Sequence, residues 1–483
     1  MALIEPTELA EVSSLSPVHF IAIGGSGMNG IATAYVQAGA EVSGSDRQDS
    51  SYLRALEALG ARVHVGHRAE QLGAARTVVA SSAIREDNPE LAEARRRGLQ
   101  VLHRSQALGS LMLGRRTIAV AGTHGKTTTT AMIASVLTGC GLDPSYVIGG
   151  SLTGTATGGH LGTGDLMVAE ADESDGSFLQ YPAEIAVVTN VDPDHLANWG
   201  TADNYAAGFL RFVSSPGLRL LVVSADDSGA VTLTERVRRR VSAGESDLEI
   251  VTFGTSQSAD VRISTADFAG TGSTFELRSA TAGGPVSLSV PGHYNLLNAA
   301  ATYAVATRVG VADQVVREQL GDFRGTHRRF ELVGSVDGIR VYDDYAHHPT
   351  EVLNTLKAAR TGVGDGRLVV CFQPHLYTRT RDFSTELAQA LELADVAVVM
   401  DVCGDREDPI PGVDGRLVSE AIAPGTASVT YQPDWDAAAG TVAGLARAGD
   451  LVITVGCGDV TKITPLIVAE LQRRATTSPT GRR

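Results

Sequence analysis

The stretch that decides the fold is "AVAGTHGKTTTT", residues 119–130. A short apolar run leads into a glycine turn, and the residues after the turn have the pattern of a helix. This order is typical of loops whose backbone N–H groups cradle phosphates at a helix N-terminus. The standard phosphate loop has four residues between its first glycine and Gly-Lys, whereas only Thr123 and His124 separate Gly122 from Gly125 here.

The lysine of this turn is unusual for the chain. Only three of the 40 cationic residues are lysines, namely Lys126, Lys357 and Lys462. Where any positive charge suffices the chain uses arginine, so a lysine indicates that a compact ammonium is needed. Lys126 can reach the β- and γ-phosphates of a nucleotide, and the Thr127 hydroxyl can ligate Mg²⁺.

Acidic residues follow two of the later predicted strands. The segment "VAEADESDGSF" (168–178) ends one strand and "TNVDPDHLANWG" (189–200) ends the next. Their candidate groups are Glu170, Asp172, Glu173, Asp175, Asp192, Asp194 and His195. Ligand sites form at the carboxyl ends of strands in open α/β sheets, and Mg²⁺ prefers oxygen ligands. By itself His195 indicates only a surface residue, because histidine is a poor ligand for Mg²⁺.

Another glycine loop, the first along the chain, lies near the start, in "IAIGGSGMNG" (21–30), and the loop at 122–125 is then the second. Gly25, Gly27 and Gly30 match the G-x-G-x-x-G fingerprint, and Asp46 ends the next predicted strand at the usual place of a ribose-binding carboxylate. This arrangement recognises any nucleoside diphosphate, so NAD or NADP is an alternative ligand. A tight turn without a ligand is the third interpretation.

Composition restricts the class of protein. A chain of 483 residues predicts two to four domains. Its net charge of −15 argues against a nucleic-acid partner. The start has no secretory pattern, and no apolar run approaches the roughly 18 residues of a membrane span. Four widely spaced cysteines favour reduced thiols and a cytoplasmic location.

Strands and helices alternate along the chain in three blocks. This rhythm predicts an α/β fold of parallel sheets, with an added β-hairpin at 275–292 around a Gly-Gly pair. The block boundaries predict three domains followed by a disordered tail, at 1–112, 113–325, 326–475 and 476–483.

Several motifs occur in one order across nearly the whole chain. Beside the first glycine loop, they are "GTHGKTT" (122–128), "EADESDGSF" (170–178), "TNVDPDHL" (189–196), "HYNLLNAAA" (293–301), "RRFE" (328–331), "DDYAHHPTE" (343–351) and "FQPHLYTRTRDF" (372–383). Each piece alone is weak, but the set resembles the Mur ligases. The glycine loop and "DDYAHHPTE" point within that family to the branch that adds L-alanine.

The resemblance implies a fold and an activity. It implies a Rossmann-like domain for a UDP-sugar, a central P-loop ATPase-like domain, and a Rossmann-like C-terminal domain that closes over ATP and the amino acid. The implied reaction joins L-alanine to the lactyl carboxylate of UDP-N-acetylmuramate through an acyl phosphate, the first amino-acid addition in peptidoglycan precursor synthesis. ATP and Mg²⁺ are the implied co-substrate and cofactor, and a monomer or homodimer the implied assembly.

The resemblance also assigns residues. For ATP they are Gly122, Thr123, His124, Gly125, Lys126, Thr127 and Thr128, with Asn295 and Asn298 on the adenine side. Thr127 and Glu170 would hold the first Mg²⁺, and His195 a second metal. The groups around the reacting carboxylate, phosphate and amino acid would be His124, Arg328, Tyr345, His347, His348 and Arg379. The UDP-sugar would lie at Gly25, Gly27, Gly30 and Asp46.

Two positions depart from the family pattern. Tyr294 stands where the family commonly has histidine, and an aromatic ring can still stack on adenine. Leu376 stands where the family often has arginine, which leaves Arg379 or Arg381 to hold the amino-acid carboxylate. No lysine lies between 127 and 356, so the carbamylated lysine of some later Mur ligases has no counterpart.

Three other functions remain open at this point. A related Mur-type ligase that salvages muropeptides shares the ATPase core and differs in its acceptor. An NAD(P)-dependent oxidoreductase explains the first glycine loop but not the second loop or the acidic strand ends. An ATP-gated switch without catalysis explains only the second loop.

Overall fold

The computed structural model describes residues 3–405 and 407–477. Within these residues there are three sheets, of five, ten and six strands, each associated with helices, and the predicted α/β class is confirmed. The chain divides into two compact units. The first comprises residues up to 265, 275–286 and 296–326, and the second comprises 266–274, 287–295 and the residues from 327 onward.

The five-stranded sheet opens the first unit. Its strands are β1 (Val18–Ile21), β2 (Val42–Asp46), β3 (Arg62–Val65), β4 (Thr77–Ala80) and β5 (Gln100–His103). They are all parallel in the order β3-β2-β1-β4-β5, the Rossmann-like order expected. The helices of this part are α1 (Val12–Leu15), α2 (Ser26–Gln37), α3 (Ser51–Ala58), α4 (Pro89–Arg96) and α5 (Arg104–Met112).

The ten-stranded sheet has the order β15-β14-β13-β12-β11-β10-β6-β9-β7-β8. Its strands are β6 (Arg116–Ala121), β7 (Ser145–Val147), β8 (Gly159–His160), β9 (Leu166–Glu170), β10 (Ile185–Val188), β11 (Leu220–Ser224), β12 (Glu249–Gly254), β13 (Val261–Ala269), β14 (Gly272–Arg278) and β15 (Gly283–Leu288). The neighbouring pairs from β13 to β7 are parallel, and β14 and β15 form the hairpin that the sequence predicts. The accompanying helices are α6 (Lys126–Gly139), α7 (Leu196–Trp199), α8 (Ala202–Phe212), α9 (Ser228–Ser242), α10 (His293–Arg308) and α11 (Asp313–Asp322).

The six-stranded sheet belongs to the second unit and has the order β16-β17-β21-β18-β19-β20. Its strands are β16 (Glu331–Val336), β17 (Ile339–Asp344), β18 (Leu368–Phe372), β19 (Val396–Val399), β20 (Ser428–Tyr431) and β21 (Leu451–Val455). Only the β16–β17 pair is antiparallel among them. The helices are α12 (Pro349–Gly362), α13 (Tyr377–Leu391), α14 (Arg416–Ser419), α15 (Trp435–Leu445) and α16 (Val460–Thr477).

Burial explains which strands the sequence reveals. The central strands β1, β10, β11, β18 and β21 are buried at every residue and therefore read as continuous apolar runs. Seven strands are not predicted from the sequence, namely β3, β5, β7, β8, β13, β16 and β20. Most of these lie at sheet edges. Strands β3, β16 and β20 contain no fully buried residue, so they lack the buried apolar run that marks a central strand.

The predicted C-terminal tail is helical at its start. Helix α16 extends to Thr477, so residues 476 and 477 of the predicted tail are helical, and residues 478–483 lie outside the described residues. In the part of the chain that the structure describes, no helix combines the length and apolar character needed to cross a membrane. The domain boundaries at 112, 325 and 475 stay predictions.

Candidate active site

The loop between β6 and α6 has a backbone that requires glycine. Gly122 has φ +138°, and a Cβ added there would lie 2.0 Å from Thr189 Oγ1. Gly125 has φ +84° and forms the N-cap of α6, where it brings no side-chain oxygen to the first turn. The N–H groups at the start of α6 are therefore left to an external acceptor such as a phosphate.

Residues after β10 hold this loop in place. Asn190 accepts a hydrogen bond from the His124 N–H at 2.8 Å and donates one to the His124 carbonyl at 2.9 Å. Thr189 Oγ1 donates to the same carbonyl at 2.6 Å, and Thr123 Oγ1 donates to the Asp192 carbonyl at 2.8 Å. The sequence analysis did not single out Asn190, although it stands in the quoted "TNVDPDHL".

Lys126 lies at the centre of the loop. Its Nζ donates to the Gly122 carbonyl at 2.6 Å and the Thr123 carbonyl at 3.0 Å, and lies 2.9 Å from Glu173 Oε2. Burial disfavours the ammonium, but the negative charges of Glu173, Asp172 and Glu170 outweigh burial and raise the pKa of Lys126. The ammonium is thus held in its charged form inside a ring of oxygen atoms.

Glu173 is the fully buried partner of that ammonium. Burial raises the pKa of Glu173 to about 7, because the attraction of Lys126 offsets only part of the desolvation and Asp172 adds repulsion. Tyr205 donates a hydrogen bond to Glu173 Oε1 at 3.4 Å. A carboxyl group whose pKa is raised toward neutrality beside a buried lysine is typical of functional sites.

The predicted first magnesium ligands are brought together. Thr127 Oγ1 donates to Glu170 Oε1 at 3.1 Å, and Glu170 Oε2 accepts from the Gly149 N–H at 2.8 Å. These hard oxygen donors fit Mg²⁺. Across residues 3–405 and 407–477, no group of three or more His, Cys, Asp or Glu side chains could hold a metal alone. Mg²⁺ commonly has few protein ligands and completes its coordination shell with waters and substrate phosphates.

His195 lies beside other carboxylates. It has φ +53° and caps the short helix α7, with Nε2 3.5 Å from Asp194 Oδ2 and 4.0 Å from Glu173 Oε1. The structure therefore places His195 next to the partner of Lys126.

The four carboxylates after β9 do not act as one cluster. Asp172 accepts from Arg104 Nη2 at 2.5 Å, and Asp175 accepts from Ser82 Oγ at 2.5 Å. Both partners belong to the five-stranded part of the first unit. Glu170 and Glu173, by contrast, contact Thr127 and Lys126 at the start of α6, so the four carboxylates have different partners.

The remaining residues predicted to bind ATP lie on two helices. Thr128 is buried on α6, and one turn of α10 carries Asn295 and Asn298. Asn298 Oδ1 accepts from Thr129 Oγ1 at 3.0 Å. Asn295 donates to the Pro291 carbonyl at 2.7 Å.

The first glycine loop has a different geometry. The N-cap of α2 is Gly25, at φ −62°, and an added Cβ at Gly27 would lie 3.0 Å from Arg104 Nη1. An added Cβ at Gly30 would lie 2.9 Å from backbone atoms of Gly158. The fingerprint glycines thus permit close packing, and the positive φ of this turn falls on Ala22 at +59°.

Asp46 binds the loop itself. Its Oδ2 accepts from the Gly24 N–H at 3.1 Å and its Oδ1 from the Gln48 N–H at 3.4 Å. The carboxylate therefore sits at the end of β2 against the glycine turn, where the fingerprint predicts it.

In the second unit, two predicted residues stack. The Arg328 guanidinium lies 4.8 Å from the centre of the Tyr345 ring, and Tyr345 N–H donates to the Arg328 carbonyl at 2.7 Å. Arg328 also donates to the Gly456 carbonyl at 2.6 Å and to Asp343 at 3.2 Å. Its backbone has φ +58°, an uncommon conformation for arginine, which these contacts hold in place.

The two adjacent histidines precede α12, with His348 as its N-cap. His347 Nδ1 lies 3.1 Å from the Tyr345 carbonyl and 3.4 Å from Glu351. Burial lowers the pKa of His347 to about 3, with Glu351 opposing this and Arg379 reinforcing it. The centres of the His348 and Phe383 rings lie 5.5 Å apart.

The departure at Leu376 leaves two arginines on α13 to compare. Arg379 is close enough to His347 to lower its pKa. Arg381 is exposed and pairs with Asp382 at 2.7 Å.

Comparisons with known proteins give the family. Three family models match in order: "Mur ligase family, catalytic domain" at 17–116, "Mur ligase middle domain" at 120–306 and "Mur ligase, glutamate ligase domain" at 328–458. The chain is 51% identical to a UDP-N-acetylmuramate–L-alanine ligase of Cutibacterium acnes, with 98% of this chain and 100% of the relative covered.

Solved structures agree with that result. A UDP-N-acetylmuramate–alanine ligase of Thermotoga maritima has a TM-score of 0.80 at 27% identity, covering 95% of this chain and 99% of its own. A murein peptide ligase of Psychrobacter arcticus has a TM-score of 0.70 at 26% identity, covering 94% and 98%. On the family models and the full-length relatives together, this chain belongs to the Mur ligase family.

Proposed function

We propose that this chain joins L-alanine to the lactyl carboxylate of UDP-N-acetylmuramate at the expense of ATP. This reaction would be the first amino-acid addition in cytoplasmic peptidoglycan precursor synthesis. The similarity to L-alanine ligases over the whole chain supports it. The observation that carries it is the Lys126 ammonium inside a glycine loop, one residue before the Thr127–Glu170 oxygen pair.

The reaction needs activation of an acid. A carboxylate is a poor electrophile because it is anionic and has no good leaving group. Attack of a carboxylate oxygen on the γ-phosphorus of ATP forms an acyl phosphate and releases ADP. The uncharged α-amine of L-alanine then attacks the acyl carbon, the C–O bond to phosphate breaks, and inorganic phosphate leaves as the amide forms.

The loop around Lys126 suits the first step. Charge spreads over the phosphoryl oxygens during transfer, and fixed donors aimed there lower the barrier. Lys126 and the N–H groups at the start of α6 are such donors. A phosphate would replace the Gly122 and Thr123 carbonyls around Nζ, since an anion is the better acceptor.

Magnesium fits the adjacent oxygen pair. Thr127 and Glu170 would hold it, and His195, beside Glu173, would serve a second metal. When bound, Mg²⁺ supplies positive charge that offsets the repulsion between a carboxylate and a triphosphate. The chain's own part is to hold Glu170 in position through the Gly149 N–H.

The second unit would recognise the amino acid. Arg379 would bind its carboxylate, since a guanidinium matches a carboxylate geometrically and Arg381 is already paired at the surface. His347 is neutral at physiological pH, so it can accept a hydrogen bond from the incoming amine. Arg328, Tyr345 and His348 would complete this region, while His124 would lie at the phosphate and Asn295 and Asn298 at the adenine.

One isotope experiment tests the acyl phosphate. UDP-N-acetylmuramate carrying oxygen-18 in its carboxyl group is incubated with ATP, Mg²⁺ and L-alanine, and the released phosphate is analysed by mass spectrometry. Transfer of one labelled oxygen into phosphate is expected. Unlabelled phosphate would rule out the mechanism.

The acceptor is tested by substrate omission. Phosphate release should need UDP-N-acetylmuramate, ATP and L-alanine together, and L-alanine should be replaced poorly by a peptide that begins with alanine. Equal turnover with the peptide would favour a muropeptide ligase. Turnover without the UDP-sugar would indicate an ATPase.

The metal assignment is tested at His195. His195→Ala should raise the Mg²⁺ concentration needed for half-maximal ATP binding, because a ligand near the phosphates is lost. Asn198→Ala, on the same short helix, is the matched control. An unchanged Mg²⁺ titration of the His195 variant would assign this histidine to structure alone.

A further inference from the structure

The first glycine loop contains no basic residue of its own. Residues 24–30 read Gly-Gly-Ser-Gly-Met-Asn-Gly, and the Asp46 carboxylate lies on its Gly24 N–H. A diphosphate carries at least two negative charges. Backbone N–H groups at a helix N-terminus attract an anion, but the first turn alone leaves this charge uncompensated beside Asp46.

Arg104 is the cation placed against this loop. It is the first residue of α5, and its Nη1 is so close to Gly27 that an added Cβ would lie 3.0 Å away. Its other terminal nitrogen, Nη2, donates to Asp172 Oδ2 at 2.5 Å. One planar guanidinium therefore faces the glycine turn with one arm and the acidic segment after β9 with the other.

Asp172 connects Arg104 to the second loop. It stands directly before Glu173, whose Oε2 lies 2.9 Å from Lys126 Nζ. Charged side chains thus lead from the first loop to the second. The series begins with Arg104, beside Gly27, and continues through Asp172 and Glu173 to Lys126.

We propose that Arg104 binds the diphosphate of the UDP-sugar and shares its charge with Asp172, so that the two nucleotide loops are coupled. This inference rests on the proposed function for the first loop. A guanidinium has five donors in a fixed fork, enough to serve a phosphate and a carboxylate at once. A diphosphate at the loop takes part of the positive charge of the guanidinium, so that Asp172 is less fully neutralised and its negative charge acts more strongly on Lys126.

The proposal predicts opposite effects of two substitutions on UDP binding. Arg104→Met removes the cation and should weaken the affinity for UDP at least about tenfold. Asp172→Asn keeps the shape but removes the competing negative charge, so UDP should bind equally well or more tightly. If the ion pair only stabilised the fold, both variants would weaken binding in the same direction.

The measurement is titration calorimetry of the full chain with UDP, with and without a non-hydrolysable ATP analogue and Mg²⁺. In the wild type, the affinity for UDP should differ between the two conditions, and this difference should shrink in both variants. Arg104→Lys should give an intermediate affinity, because it keeps the charge but loses the fork. Arg95→Met, which breaks an exposed pair with Glu86, is the matched control and should leave UDP binding unchanged.

The outcomes distinguish an error in the role of the first loop from an error in the role of Arg104. If the wild type fails to bind UDP, the proposed role of the first loop is wrong. If the wild type binds UDP and Arg104→Met binds within twofold of it, or if both variants weaken binding together, the role of Arg104 is wrong.

Discussion

The two glycine loops look alike in sequence but need glycine for different reasons. In the loop at 122–125, Gly122 and Gly125 adopt positive φ angles that other residues avoid. In the loop at 24–30, the glycines have ordinary angles, and Gly30 is small because the backbone of Gly158 lies against it. A fingerprint of glycines therefore identifies a turn into a helix without saying which physical demand each glycine meets.

Their charges differ in the same way. The second loop contains its own cation, Lys126, and pairs it with a buried carboxylate, Glu173. The first loop contains none and has a carboxylate, Asp46, on its backbone. This difference suits a reacting triphosphate in one loop and an anchoring diphosphate in the other. The following predictions test that division, from the largest expected effect to the smallest.

Removal of the cation should have the largest effect. Lys126→Ala takes away a donor to the transferring phosphoryl group, and kcat should fall roughly 10²–10³-fold or more. Steady-state phosphate release with all three substrates measures it. Lys462→Ala, at an exposed lysine paired with Asp459, is the control and should keep full turnover. A Lys126 variant with wild-type kcat would remove the reason to assign ATP to this loop.

The buried carboxylate should make stability depend on pH. The pKa of Glu173 is raised from 4.5 to about 7 by burial, so the folded chain holds a proton that the unfolded chain releases. Relative to Glu173→Gln, the wild type should therefore lose unfolding free energy as pH rises from about 4.5 through about 7, by something on the order of 3 kcal/mol.

Urea unfolding of both proteins across this pH range measures the difference. Glu41→Gln, which removes an exposed carboxylate paired with Arg62, controls for loss of negative charge in general. The difference in unfolding free energy between the wild type and Glu173→Gln could instead stay constant, or the wild type could gain stability as pH rises. Either result would mean that the ion pair with Lys126 outweighs the burial of Glu173.

Packing around the first glycine loop should make Gly30→Ala a destabilising substitution. Glycine to alanine inside a helix ordinarily stabilises by about 1 kcal/mol. At Gly30, on α2, the new Cβ would meet Gly158 backbone at 2.9 Å, so Gly30→Ala should destabilise by about 1–3 kcal/mol. Gly440→Ala, in α15 with no atom within 4 Å of the added Cβ, is the control. A lower melting temperature for the first and a higher one for the second are expected.

These cases show how far sequence reasoning reaches. Buried strands and the turns between them were predictable, because continuous apolar runs and glycine turns are local patterns. The partners of Asp172 and Asp175 were not, since Arg104 and Ser82 lie about 70 to 90 positions away in sequence. Since β5, the strand directly before Arg104, was itself missed, the sequence offered no signal for this arginine.

The candidate site likewise has one part that the sequence predicts and one part that it does not. The spacing of "GTHGKTT" predicts that Lys126 and Thr127 lie at a helix N-terminus, and both do. That Glu173, and not Glu170, pairs with Lys126 depends on how the segment after β9 crosses the loop. No periodicity in the sequence carries this information, because alternate residues of an irregular segment do not point in fixed directions.

The smallest effect is expected at Asp46. Asp46→Asn keeps a side-chain oxygen that can accept from the Gly24 N–H, so the turn of the first loop should persist. The lost charge weakens a hydrogen bond to a ribose hydroxyl while easing repulsion of the diphosphate, and these effects oppose each other. The KM for UDP-N-acetylmuramate should therefore change less than about tenfold, with kcat and the KM for ATP unchanged. Asp46→Ala, which removes the acceptor altogether, should raise the same KM further. A fall in kcat for Asp46→Asn would contradict the division between an anchoring and a reacting loop, since it would place Asp46 in the chemical step.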